Sequence, residues 1–73
     1  MICEVLTMTP GNMWKVEVKV GDKVQDGDLL FIMEVMKTEV NHVAEINGTV
    51  TEVNIIPGEE DLEAGFIAMK IEE

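Results

Sequence analysis

Polar and apolar residues alternate along Lys15-Val16-Glu17-Val18-Lys19-Val20, which places the three valines on one face of a pleated strand. Gly21-Asp22-Lys23 follows as a turn, and Asp26-Gly27-Asp28 as a second. The segment from Thr49 to Ile56 is rich in β-branched residues and is closed by Pro57-Gly58. Gly65 opens a last run, Phe66 to Ile71, in which Ile67, Met69 and Ile71 alternate with Ala68 and Lys70. Pro10-Gly11 ends a first strand near Met8. Only the middle is ambiguous by pattern. Leu29, Met33, Met36, Val40 and Val43 recur at the spacing of a helix stripe. Ile32, Val35, Thr38, Val40 and Val43 are β-branched and favour a strand, and no helix stop follows them.

An internal repeat decides between the two. When Gly11 is set on Gly48, a second glycine follows ten residues later in both copies, at Gly21 and Gly58, and a third at Gly27 and Gly65. Val16 then falls on Val53, Val18 on Ile55 and Val24 on Leu62. Leu29–Met33 falls on Ile67–Ile71, which is strand-like, so the middle run is strand as well. A turn-and-strand unit repeated once predicts two β layers related by a pseudo-twofold axis. The architecture is a flattened all-β barrel of about eight short strands, with residues 1–73 forming one domain. Leu30 and Ile32 are as apolar as Leu29, Phe31 and Met33. Both faces of that strand are therefore covered, or one presents an apolar patch.

The two repeats meet at Lys37, the midpoint of the 73 residues. With strands on either side, the chain must reverse at Met36-Lys37. Two-residue turns favour Gly, Asn or Asp, whose backbones tolerate positive φ, and neither residue is one of these. Such a turn is held by its strands against its own preference, which directs attention to what it presents.

Composition narrows the function classes. Fifteen acids against five lysines give a net charge of −10, and only Trp14, Phe31 and Phe66 are aromatic. Such a surface repels phosphate backbones and offers little stacking, which argues against nucleic acid and against anionic membranes. The start has no basic segment followed by an apolar run, and no stretch is long enough to span a bilayer, so a cytoplasmic protein is expected. Cys3 is the only cysteine, which excludes an intrachain disulfide and a multi-cysteine zinc site and fits a small apolar side chain in the first strand. The acidic run Glu59–Glu63 lacks the spaced ligands and glycine of a calcium loop and reads as a solvated turn. No nucleophile–base pair or metal-ligand set is present, so neither a catalytic residue nor a metal site is assigned.

The order Gly21-Asp22-x-Val24-x-x-Gly27-Asp28, an apolar run, Glu34-Val35-Met36-Lys37, Val43-Ala44, Gly48-Thr49-Val50 and Pro57-Gly58-Glu59 resembles the biotinyl domain family, whose members are similar to lipoyl domains. The opening Gly11–Val16 resembles the small stand-alone biotin/lipoyl attachment proteins. Together the likeness spans Met8 to Ile71. It implies a barrel-sandwich hybrid of two four-stranded sheets, with the modified lysine, Lys37, on a tight protruding hairpin. It also implies a biotin carboxyl carrier. In that family a biotin ligase supplies biotinyl adenylate and joins biotin to the lysine as an amide. A biotin carboxylase then loads CO2, and a carboxyltransferase or decarboxylase takes it up. The carrier would be a non-catalytic part of a carboxylase or decarboxylase complex.

The neighbours of Lys37 separate biotin from lipoate. Biotin carriers typically read Glu-Ala-Met-Lys-Met, whereas lipoyl domains typically have Asp before the lysine and Ala after it. Met36 matches the biotin pattern, Val35 replaces the usual Ala, and Thr38 matches neither. Glu34 matches the family's glutamate and is expected to position the hairpin. A lipoyl carrier and an unmodified β-barrel interaction module are the alternatives. Lys15, Lys19, Lys23 and Lys70 fall on strands or ordinary turns. Met8-Thr9-Pro10 is expected near the lysine tip, Met13 and Trp14 in packing roles, and His42 on a strand surface.

Overall fold

The computed structural model describes residues 1–73. Its elements are β1 (Ile2–Leu6), β2 (Asn12–Val16), β3 (Lys23–Val24), β4 (Leu29–Val35), β5 (Thr38–Val43), β6 (Gly48–Val53) and β7 (Ile67–Glu72). They form two antiparallel sheets, ordered β1-β7-β6-β3 and β2-β4-β5. The all-β reading holds, and the ambiguous middle is two strands. The eighth strand is reduced to a single bridge, Gly11 with Leu62, beside β2. Its repeat mate is the Val24–Gly48 pair that joins β3 to β6.

Hydrogen bonds repeat as the glycines do. Gly21 N–H donates to Val50 O at 2.8 Å, and Gly58 N–H to Met13 O at 2.9 Å. Gly27 N–H donates to Ala44 O, and Gly65 N–H to Thr7 O, each at 2.8 Å. In this symmetry β4 corresponds to β7, β2 to β6 and β5 to β1. The mate of the Met36–Lys37 turn is thus the place where the chain's ends meet, with Glu73 N–H on Met1 O at 3.0 Å.

Gly11 and Gly48 show why the repeat needs glycine at the start of β2 and of β6. A Cβ on Gly11 would lie 2.7 Å from Glu34 O and 2.9 Å from Val35 Cγ2. One on Gly48 would lie 2.5 Å from Glu72 O and 2.8 Å from Ile71 Cγ2. Both glycines let a strand start pass against the end of its own unit's central strand.

Two strands are shorter than the alternation suggests. β2 stops at Val16 rather than Val20, because the chain curls at the next turn. Asp22 N–H donates to Lys19 O, and Lys19 N–H donates to the Asp22 carboxylate, each at 3.0 Å. Val16 and Val18 still pack on the core, but Val20 is 60% exposed. β6 likewise ends at Val53, short of Ile56, ahead of the matching turn in which Ile56 N–H donates to the Glu59 carboxylate at 3.2 Å.

The core holds twelve buried apolar residues, drawn from both sheets. β4 answers the question of faces. Its pairing with β5 skips Leu30, between Leu29–Val43 and Phe31–His42, and this bulge turns both Leu30 and Phe31 inward. β7 bulges at the equivalent place, skipping Ala68, and buries Ala68 and Met69 together. The consecutive apolar residues are the signature of the bulge.

Candidate functional site

The register of β4 on β5 builds the tip. Met33 pairs with Val40, Glu34 with Glu39 and Val35 with Thr38, which leaves Met36 and Lys37 alone in the turn. Their φ values are 50° and 64°. Positive φ at both central residues defines a type I′ turn, the form whose twist matches a right-twisted hairpin. Side chains in this region cost roughly 1–2 kcal/mol per residue. The ladder on either side offsets that cost, since neither residue favours the conformation by itself.

The base of the hairpin is well supported. Val35 packs against the core, Asn12 pairs with Glu34, and Gly11 sits against the Glu34 carbonyl. The loop carrying Met8-Thr9-Pro10 leads into Gly11 at the end of β4, whereas Met8 itself is held further down the barrel, its N–H on His42. Beyond this base, Met36 is 94% exposed and Lys37 is exposed. Lys37 enters no ion pair, since the single pair in the structure joins Lys70 to Glu52 at 3.8 Å. Lys15 is held over the Trp14 ring at 4.9 Å, Lys23 lies in β3, and Lys19 precedes a turn. Lys37 alone is presented on a hairpin tip.

Glu34 is exposed and faces Glu39, also exposed, directly across the hairpin. Like charges in that arrangement repel, and Lys37 is the nearest lysine along the chain to offset them. The sequence reading singled out Glu34 and missed Glu39. A two-residue turn at Met36-Lys37 already places positions 34 and 39 opposite one another, so the signal was there.

His42 corrects an expectation. It is not on the strand surface but 3% exposed, stacked on Phe31 with ring centroids 4.3 Å apart and planes 20° from parallel. Its Nε2 accepts Met8 N–H at 3.4 Å, which fixes the neutral ring's proton on Nδ1, and Nδ1 has no partner. Burial lowers its pKa below the ordinary histidine value. The Val40 backbone opposes that shift without reaching hydrogen-bond geometry at Nδ1. Thr7, the other buried polar side chain, is satisfied, donating to Glu63 O at 2.7 Å and accepting Phe66 N–H at 3.1 Å. Met13 is buried as expected for a packing residue, whereas Trp14, at the bulge of β2, is 45% exposed.

Residues 1–71 match the family described as "Biotin-requiring enzyme", the biotin/lipoyl attachment domains. The chain belongs to this family. Among attachment-domain relatives it is 49% identical over 43 residues to the biotin/lipoyl attachment protein of Bacillus subtilis, covering 59% of each chain. It is 42% identical over 50 residues to the biotin carboxyl carrier protein of Streptococcus mutans, covering 68% of this chain and 38% of that one. It is 35% identical over 66 residues to the dihydrolipoyllysine-residue acetyltransferase component of the Mycoplasma capricolum pyruvate dehydrogenase complex, covering 90% of this chain and 15% of that one. The chain thus spans less than two thirds of the length of these curated relatives. In structure this attachment domain superposes on part of the urea carboxylase of Kluyveromyces lactis with a TM-score of 0.87 and 32% identity, covering 97% of this chain and 6% of that one. No helix is long and apolar enough to cross a membrane.

Proposed function

We propose that this chain is a biotin carboxyl carrier, biotinylated on Lys37 by a biotin ligase, and that it takes no catalytic part itself. The observation that carries the reading is the tip: one unpaired lysine on an exposed two-residue turn, next to a methionine that is 94% exposed. Biotin carriers typically have that methionine, and lipoyl domains typically have Asp there. The likeness to a carboxyl carrier and to a urea carboxylase supports the same choice.

The residues fit covalent attachment. An exposed amine in no ion pair is free to enter another protein's active site, and the I′ turn fixes its direction of approach. Amide formation needs a neutral amine and an activated biotin carboxyl, and the chain offers no base beside Nζ, so the ligase supplies both. Met36 then stands beside the attachment point, Val35 and Thr38 close the turn, and Glu34 orients the hairpin toward the ligase. Once attached, biotin supplies a ring that carries a carboxyl group from a biotin carboxylase to a carboxyltransferase, or away from a decarboxylase. The barrel's contribution is to hold Lys37 at the end of a rigid body, so that a tethered group meets each active site at high effective concentration.

Intact mass after co-expression with a biotin ligase tests this. One biotin is expected on the parent and none on Lys37→Arg, whose far-UV spectrum should be unchanged. Lipoate taken up from a lipoate ligase, with no biotin, would favour a lipoyl carrier, the reading that the acetyltransferase relative supports. No acylation by either would leave an interaction module. Thr38→Met should be labelled at least as fast as the parent.

A further inference from the structure

We propose that the open seam between β1 and β5 docks an extended segment of a partner protein, with an aliphatic side chain between the sheets and basic residues at the rim. The inference stands whether Lys37 carries biotin, lipoate or nothing. β1 and β5 each end their sheet and do not pair with one another, so each leaves one side of its backbone outside the ladder. Between them lies a groove of about 270 Å³. That is below the ~300–1,000 Å³ usual for small-molecule sites and suits one or two aliphatic side chains. Its walls include Val5, Leu6, Met8 and Val43, of which Leu6 is 44%, Val43 46% and Met8 71% exposed.

Charge decides what fills it. The only charged side chains lining the groove are Glu4 and Glu45, and no lysine reaches it. A second copy, at −10, would be repelled, whereas a segment with lysines or arginines would be drawn in. Backbone chemistry favours an extended peptide, since a free edge pairs with an added strand. His42 also lines the groove, so its ring reports on what occupies it. The seam is at the waist of the barrel. Val43 is six residues along the chain from Lys37, roughly 20 Å at strand rise, so a docked segment leaves Lys37 free.

The probe is a peptide alternating lysine and valine over eight residues, titrated into isotope-labelled protein and followed by amide and His42 ring resonances. Shifts concentrated on residues 3–8 and 41–45 are expected. Leu6→Ser, Val43→Thr and Glu45→Lys should each weaken binding about tenfold while keeping the parent's spectral dispersion. Replacing the peptide's valines by serine, or its lysines by glutamate, should abolish these shifts. The proposal is overturned if the lysine–valine peptide does not bind. It is equally overturned if the serine peptide binds as well, if the shifts spread over the acidic surface, or if the same residues report self-association instead.

Discussion

Met36 and Lys37 hold side chains in a backbone region that favours glycine, and Gly11 is one reason the hairpin beneath them stays in place. A methyl group there would meet the Glu34 carbonyl and the Val35 side chain at under 3 Å. Gly11→Ala is expected to cost on the order of 1–3 kcal/mol, as overpacking does, read as a lower urea midpoint. Lys37→Arg touches nothing and should leave that midpoint unchanged. His42 adds a pH dependence whose sign is set by its lowered pKa. The unfolded chain takes up a proton near pH 6.5, and the folded chain only at lower pH. His42 therefore imposes no penalty above that value, and stability falls as pH drops through it toward the folded pKa. Melting curves at pH 7 and pH 5 should differ less for His42→Val, which copies Val5 at the repeat-equivalent place. The sequence made Lys37 and Met36 legible and misplaced His42. A rule that sends apolar side chains inward would bury Val43 and expose His42. The turn's two-residue length decides the parity of β5, and it does the reverse.

At the level of elements, the repeat was readable because its turns depend on glycine, and glycine spacing survives where side chains diverge. Strand lengths and bulges were not readable. β2 and β6 end early because turns after them capture backbone groups that a longer strand would have paired. The bulges in β4 and β7 fall where two neighbouring side chains both enter the core, at Leu30-Phe31 and Ala68-Met69. Leu30 is large where its mate Ala68 is small, so the two sites fill one core unequally. Leu30→Ala would put alanine at both and leave a cavity, at about 2–5 kcal/mol. That is a large share of the margin of a 73-residue chain, and a large drop in melting temperature should report it.

Over the whole molecule, fifteen acids are distributed on a body of 33 × 18 × 17 Å with one ion pair. Self-repulsion therefore opposes folding. Raising ionic strength from ~0.01 M to ~0.15 M shortens the screening length from about 30 Å to about 8 Å, so the urea midpoint should rise with salt. A fall would mean that favourable pairs outweigh the repulsion. The chain by itself determined the all-β class, the twofold repeat and the lysine at its centre. Each of these rests on local chemistry: alternation, glycine spacing and the residue types beside a turn. Only the tertiary structure decided that the turn is type I′, that His42 is buried, and that β1 and β5 leave a seam. Those depend on register and on how two sheets meet, and a shift of one residue in pairing reverses every face.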